Sequence, residues 1–178
     1  MTSKKLSIRG MIYASIFGAV TAAGAYIMIP LPPVPITLQT LFLYLAATLL
    51  GGRVAALSQV IYILVGIIGL PVFAGGKAGL GVLIGPTGGY LIGFIAGAYV
   101  IGKLVEIRKA PGLIWIISSM VTGTVAIYLF GVGQLMIIAK LSMVKAITVG
   151  AFPFLIGDVL KIVVASLLTL KIRDKIKI

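Results

Sequence analysis

The chain alternates long apolar runs with short connections that are polar or rich in glycine and proline. The apolar runs lie at residues 11–29, 36–50, 54–70, 90–105, 113–131 and 153–170. A helix of about 20 apolar residues crosses the hydrocarbon core of a bilayer, and somewhat shorter helices also do so. The pattern therefore predicts an all-α integral membrane protein in which a single domain, residues 1–178, contains six transmembrane helices.

Residues 133–150 do not fit this pattern cleanly, because Lys140 and Lys145 interrupt an otherwise apolar run. Two structures are compatible with the segment. It is either a helix that lies on the membrane surface or a long extension of the fifth span.

Two connections are irregular in composition. Residues 30–35 contain four prolines, which cannot continue a helix and lack backbone N–H donors. Residues 71–89 are rich in glycine yet carry apolar side chains, among them Val72, Phe73 and Leu83. Irregular backbone at membrane depth is tolerated where protein covers it or where it lines a cavity. We therefore predict that residues 71–89 cap a ligand pocket.

Composition excludes a water-soluble domain. Of the 178 residues, 61% are hydrophobic and 10% are charged, whereas soluble domains are about half apolar and a quarter charged. The net charge of +12 does not indicate nucleic-acid binding, because the basic residues stand at the ends of apolar runs. A bilayer is the expected environment, with no nucleic-acid partner.

The distribution of basic residues predicts the orientation. With six spans, one side of the membrane holds both termini and the basic residues Lys4, Lys5, Arg9, Arg53, Lys103, Arg108, Lys109, Lys171, Arg173, Lys175 and Lys177. The other side holds Lys77, Lys140 and Lys145. Basic residues accumulate in cytoplasmic segments. We therefore expect a multi-pass protein of the cell membrane with both termini in the cytoplasm and an outward-facing pocket.

Few side chains are suited to catalysis. The chain has no histidine and no cysteine, and its acids are Glu106, Asp158 and Asp174. Usual metal-ligand sets and histidine-based acid–base catalysis are therefore lacking. Gly76-Lys77 is not a phosphate-binding loop, because Ala78 stands where a Ser or Thr would hold magnesium. We expect no cofactor, no metal and no enzymatic activity.

Asp158 and Lys161 lie within the last apolar run. Residues three apart are neighbours on a helix, so the two side chains share one face. The pair is either a structural ion pair or a polar site for a ligand. Charges at membrane depth are costly and usually functional, which favours the ligand site. A carboxylate accepts two parallel N–H donors, and an ammonium donates to a carbonyl or carboxylate oxygen.

Small residues at helical spacing mark the first span. Ala14, Gly18 and Ala22 follow one another at intervals of four residues. Such rows allow close helix approach in lipid. The partner is either another helix of this chain, which general experience favours, or a separate membrane subunit.

Several motifs together resemble the BioY family, the biotin-specific S components of energy-coupling-factor (ECF) transporters. The motifs are PVPITLQTL at 33–41, GLPVFAGG at 69–76, LIGPTGGY at 83–90 and the last-helix pattern formed by Pro153, Phe154, Gly157, Asp158 and Lys161. They occur in order and span most of the chain, which makes the resemblance specific.

This resemblance implies a substrate-capture subunit that binds biotin from outside. A transmembrane coupling subunit and two ATPase subunits would be its partners. The ligand-binding residues that we expect on this basis are Gln39, Phe73, Gly75, Gly76, Tyr90, Asp158 and Lys161. The resemblance places the coupling subunit against Ala14, Gly18 and Ala22. The ureido ring of biotin, with two N–H donors and one carbonyl, suits the Asp158 and Lys161 pair.

Two other functions are compatible with parts of the sequence. A stand-alone ion-coupled carrier would use Asp158 as its proton site. A small membrane enzyme acting on lipids would need paired acids or a metal motif, whereas Asp158 is the one acid within a span.

Overall fold

Helices form along each of the long apolar runs, and the computed structural model describes them within residues 7–173. The helices are Ile8–Tyr26 (α1), Gln39–Leu50 (α2), Gly52–Ile67 (α3), Leu80–Leu83 (α4), Gly88–Glu106 (α5), Leu113–Ile138 (α6), Met143–Gly150 (α7) and Leu155–Ile172 (α8). A single 3₁₀ turn at Phe152–Phe154 leads into α8.

A small β-hairpin corrects the prediction of a purely helical chain. The strands Met28–Ile29 (β1) and Ile36–Thr37 (β2) pair antiparallel, with Met28 opposite Thr37. Helix α1 ends at Tyr26 and α2 begins at Gln39. The predicted spans 11–29 and 36–50 were therefore each too long on the side of the hairpin. The prolines between the strands prevent either helix from continuing, so the flanking residues adopt extended backbone and pair with each other.

Residues 133–150, for which the sequence left two alternatives, divide into two parts. Helix α6 continues to Ile138 and so includes the start of the segment. A turn follows, and α7 then begins after Ser142, whose hydroxyl accepts a hydrogen bond from the Lys145 N–H at 3.4 Å. The extension of the fifth helix is therefore confirmed as far as Ile138, and a separate short helix follows it.

Four helical stretches within residues 7–173 are long and apolar enough to cross a membrane. They are Ile8–Tyr26, Gly88–Glu106, Leu113–Ile138 and Met143–Ile172, the last of which includes α7, the 3₁₀ turn and α8. Helices α2 and α3 are apolar but shorter. The outward faces of the long helices expose large apolar side chains such as Ile114, Leu129, Ile156 and Leu160. Such continuous apolar surface suits contact with lipid rather than water.

Glycines bring α5 and α6 into close contact. Gly89, Gly93 and Gly97 recur every four residues on α5, and a side chain at any of them would meet α6. A Cβ atom at Gly93, for example, would lie 2.8 Å from the Ile127 carbonyl oxygen. Helices without bulky side chains at their contact gain van der Waals energy by close backbone approach.

Helix α2 occupies the centre of the bundle, where it contacts α1, α3, α5 and α8. Its buried side chains include Leu43 and Tyr44, neither of which is exposed. The Tyr44 hydroxyl hydrogen-bonds Thr124 of α6 at 2.6 Å, and Thr48 bonds Thr169 of α8 at 2.7 Å. These bonds fix the helices that surround the cavity described below.

The α5–α6 contact yields a stability prediction. We expect Gly93→Ala to lower the Tm of the purified protein by several degrees, because its Cβ has no space against the α6 backbone and overpacking costs about 1–3 kcal/mol. Gly133→Ala is the matched control. Apart from the neighbouring backbone of α6 itself, no atom lies within 4 Å of a Cβ at Gly133. Ala also favours the helix, so its Tm should not fall. Thermal unfolding in detergent measures both, and an equal Tm for the two variants would contradict the proposed packing role.

Candidate ligand-binding site

A cavity lies between α2, α5, α6, α8 and the connections that precede α2 and α5. The cavity has a volume of about 90 Å³, which is enough for several waters or part of a small organic ligand. Its lining consists of Val34, Pro35, Thr37, Gln39, Thr40, Phe73, Ala74, Lys77, Val82, Thr87, Tyr90, Leu91, Phe94, Thr124, Ile127, Tyr128, Phe154, Asp158 and Lys161. Apolar and aromatic side chains form much of this wall, and the polar groups converge on α8.

Asp158 and Lys161 form a buried ion pair in the cavity wall. The Lys161 Nζ and Asp158 Oδ1 atoms are 2.8 Å apart, and each side chain is 9% exposed. Both residues lie in the first two turns of α8, which follows the 3₁₀ turn that contains Pro153. A carboxylate near a helix N-terminus is also stabilised by the helix dipole. The sequence prediction that this pair shares one helix face agrees with the geometry.

Tyr128 of α6 is the second partner of Asp158. Its phenolic hydroxyl donates a hydrogen bond to Asp158 Oδ2, while Lys161 occupies Oδ1. A carboxylate has about four lone-pair positions, so Asp158 can still accept hydrogen bonds from a ligand. The carboxylate is thus fixed in orientation but not saturated.

Lys161 uses all its donors within the protein. Besides Asp158, its ammonium donates to the Thr37 carbonyl oxygen at 3.1 Å and to the Thr40 hydroxyl at 2.7 Å. An ammonium has three N–H donors, and three acceptors surround this one. The bonds connect α8 to the second strand and the first turn of α2, so the pair holds together the elements that form the cavity.

Gln39 lines the cavity and connects it to the glycine-rich segment. Its carbonyl oxygen accepts from the Thr37 hydroxyl at 2.9 Å, and its amide donates to the Tyr62 hydroxyl at 2.5 Å. Tyr62 in turn donates to the Val72 carbonyl oxygen at 3.3 Å. A continuous hydrogen-bonded chain therefore leads from the cavity wall to the backbone beside Phe73.

Phe73 is the anchor of the glycine-rich segment. It is buried, lines the cavity and meets the Tyr62 ring edge to face with centroids 5.6 Å apart. Gly66 provides the space, since a Cβ there would lie 2.1 Å from the Phe73 ring. The Tyr26 hydroxyl donates to the Pro71 carbonyl oxygen two residues earlier. This part of the segment is consequently held by α1 and α3.

Gly75 and Gly76 take a different position from the one expected for ligand contacts. Neither is among the residues that line the cavity, whereas the neighbouring Ala74 and Lys77 are. Both glycines have positive φ, 75° and 70°, a conformation that other residues rarely adopt. Their observed role is to form the turn between Phe73 and Lys77, whose backbones pair at 3.0 Å.

Tyr90 lines the cavity, as expected, with its ring rather than with a free hydroxyl. The hydroxyl donates to the Gly150 carbonyl oxygen at 2.7 Å, which ties α5 to the end of α7. The ring packs against Gly131, where a Cβ would lie 2.3 Å from it.

The small residues of α1 pack inside the bundle. Ala14 and Gly18 are buried, and a Cβ at Gly18 would lie 3.0 Å from the Ser58 carbonyl oxygen of α3. Ala22 is half-buried against the core. The burial of Ala14 and Gly18 favours the alternative that this row packs against another helix of the same chain.

Sequence reasoning missed the partners that orient the pair. Thr37 and Thr40 could be noticed as polar residues at the start of the second span, but their bonds to Lys161 depend on the β-hairpin. Tyr128 is one of several polar side chains spread along the mostly apolar α6, among them Ser119, Thr124 and Gln134. No spacing within α6 indicates that this residue faces α8.

Comparison with known proteins places the chain among described families. The BioY family profile matches residues 1–178. A biotin transporter BioY from Thermotoga maritima is 47% identical over 166 residues, which cover 93% of this chain and 96% of that protein. A biotin transporter BioY from Rhizobium etli is 39% identical over 173 residues and covers 92% of each.

A solved structure has the same fold. It is the crystal structure at 2.1 Å of the S-component for biotin from an ECF-type ABC transporter. The TM-score is 0.86 at 23% sequence identity, and the alignment covers 98% of this chain and 95% of that chain. At this identity the likeness establishes the fold. The family profile and the two relatives show that the chain belongs to the BioY family.

Proposed function

We propose that the chain is the S component of an ECF transporter and captures biotin. Its relatives at 47% and 39% identity are named biotin transporters, and the protein of the same fold is an S-component for biotin. Within this chain, the observation that carries the proposal is the buried Asp158–Lys161 pair in the wall of a largely apolar cavity.

The chemistry of biotin matches the groups in the cavity. The ureido ring offers two N–H donors, and Asp158 retains lone pairs that can accept them beside the bonds from Tyr128 and Lys161. Hydrogen bonds to a charged acceptor in a site shielded from water are among the stronger ones. We therefore assign the ureido ring to the Asp158 end of the cavity.

The remaining parts of biotin suit the rest of the wall. The thiophane ring and the valeryl chain are apolar, as are the cavity side chains Phe73, Leu91, Phe94 and Ile127. Lys77 is the second cation that lines the cavity, and its side chain is exposed. We assign the biotin carboxylate to Lys77, because the three donors of Lys161 are already engaged by the protein.

We further propose that α2 and α3 cross the membrane together with the four longer stretches, giving six spans. Helix α2 has 12 residues, or about 18 Å at 1.5 Å per residue. The β-hairpin before α2 and the residues from 68 to 79 after α3 would complete this side of the protein. Their contacts with α1, α3 and α8 support the assignment, because they leave this irregular backbone covered by protein.

Basic residues support cytoplasmic termini. The α2–α3 turn and the α5–α6 connection lie at one end of the bundle, where the Gly52 N–H donates to Glu106 Oε1 at 2.8 Å. This end carries Arg53, Lys103, Arg108 and Lys109, as the positive-inside rule expects of a cytoplasmic face. The predicted contributions of Lys4, Lys5, Lys175 and Lys177 lie outside the described residues.

The proposed partners are a transmembrane coupling subunit and two ATPase subunits. The sequence has no phosphate-binding loop of its own, so energy from ATP would have to come from separate subunits. We place their docking surface on this chain away from Ala14 and Gly18, because both residues are buried within the bundle.

The first prediction concerns the ion pair. We expect Asp158→Asn and Lys161→Ala each to raise the Kd for biotin by at least about 30-fold, because truncating a buried, hydrogen-bonded charge costs 2 kcal/mol or more. Titration calorimetry on purified protein measures the effect. Undiminished affinity in both variants would refute the site, and absence of binding by the parent protein would refute the function.

Two further variants distinguish a loss of biotin binding from a loss of folding. The double variant Asp158→Asn, Lys161→Met leaves no unpaired charge in the bundle and should keep the parent Tm while failing to bind biotin. Thr169→Val removes a buried hydroxyl that bonds Thr48, far from the cavity lining. It should bind biotin like the parent protein.

Orientation can be tested with single cysteines, because the natural chain has none. We expect Lys145→Cys to react with a membrane-impermeant maleimide on intact cells, since this residue is exposed at the end that we place outside. Lys109→Cys, exposed at the opposite end, should react only after permeabilisation. Reversed labelling of the two variants would overturn the proposed orientation.

Dependence on partners distinguishes the S component from a stand-alone carrier. We expect accumulation of labelled biotin to require the coupling subunit and active ATPase subunits, while binding to the isolated chain persists. The control is a complex whose ATPase subunits bind but do not hydrolyse ATP. Accumulation that continues without the partners and collapses with the proton gradient would favour the carrier.

A further inference from the structure

At the α5–α6 connection, an arginine stacks on the sole tryptophan of the chain. The guanidinium carbon of Arg108 lies 4.1 Å from the centre of the Trp115 ring. The indole N–H donates to the Leu104 carbonyl oxygen at 2.9 Å, which fixes the orientation of the ring. The indole ring covers one face of the guanidinium. The N–H donors lie in the plane of the guanidinium and point outward, so they are not directed at the ring.

The positive charge of Arg108 has no acidic partner among the described residues. Glu106, the nearest acid in sequence, already accepts from the Lys103 ammonium at 2.6 Å and from the Gly52 N–H at 2.8 Å. Within residues 7–173, no carboxylate lies within salt-bridge distance of Arg108. Arg53 and Lys109 add two more cations at the same end of the bundle.

The depth of Trp115 identifies the kind of anion that this arginine meets. The residue lies in the first turn of α6, one of the helices long and apolar enough to cross a membrane. Tryptophans near the ends of such helices lie at the level of lipid headgroups. The abundant anion at that level is the phosphate of phospholipids, and arginine matches phosphate oxygens with two parallel N–H donors.

We propose that Arg108, which stacks on Trp115 and has Arg53 and Lys109 at the same end of the bundle, binds the headgroup phosphate of an anionic phospholipid. An anionic lipid is favoured over a zwitterionic one, because each basic residue near the surface attracts anionic lipid by about 1 kcal/mol. The site is at the opposite end of the bundle from the Asp158–Lys161 cavity and does not depend on biotin binding.

Fluorescence of Trp115 reports on this site directly, since no other tryptophan contributes. The full chain is reconstituted in phosphatidylcholine bilayers that contain a brominated quencher, either phosphatidylglycerol or phosphatidylcholine. We expect brominated phosphatidylglycerol to occupy the position next to Trp115 with about fivefold preference. The preference should fall at high ionic strength. Equal quenching by the two lipids in the parent protein would overturn the proposal.

Matched variants separate a specific site from general attraction to the basic end. Arg108→Gln should remove most of the preference, with Arg53 and Lys109 leaving a small remainder, and Arg108→Lys should retain more of it, because lysine keeps the charge but not the paired donors. Arg9→Gln removes the same charge from the start of α1 and should leave the preference unchanged. An equal loss in Arg9→Gln and Arg108→Gln would refute a site at Arg108. An unaltered Tm in all variants shows that they are folded.

Discussion

The burial of Asp158 and Lys161 is the constraint on which the site depends. Two charges removed from water are stable only where each finds close partners, and one helix cannot provide them all. Tyr128 reaches the carboxylate from α6, and Thr37 and Thr40 reach the ammonium from the second strand and α2. Because these acceptors and donors come from separate elements, satisfying the pair requires α2, α6 and α8 to converge around the cavity.

The same network explains how ligand binding and the connection after α3 can influence one another. The carbonyl oxygen of Thr37 accepts a hydrogen bond from the Lys161 ammonium, and its hydroxyl donates one to the Gln39 side chain. From Gln39 the bonds continue through Tyr62 to the backbone beside Phe73. A ligand that adds hydrogen bonds to Asp158 would therefore join a connected set of bonds, and buried networks of this kind respond as a unit rather than as independent pairs.

Sequence reasoning identified local features better than contacts between helices. The Asp158–Lys161 pairing follows from helical spacing within one run, so it could be predicted. The two-residue strands are too short to show a period of two, and the prolines between them indicated only that no helix continues. Tyr128 carries no local signal of its partner. The close contact of α5 and α6 at Gly89, Gly93 and Gly97 was missed for a related reason, since a row of small residues indicates close approach but not which helix approaches.

Acidic residues are scarce in this chain, and this affects the cations at both ends of the protein. The chain has 15 basic and 3 acidic residues. In the described part of the chain, Asp158 neutralises Lys161 inside the cavity and Glu106 is divided between Lys103 and the start of α3. Among the described residues, Lys77 and Arg108 have no acidic partner within salt-bridge distance. We propose that the anion for Lys77 at the cavity is the ligand's carboxylate and that the anion for Arg108, which stacks on Trp115, is lipid phosphate. On these proposals an excess of one charge provides two different binding sites, because the surroundings of each cation determine which anion can reach it.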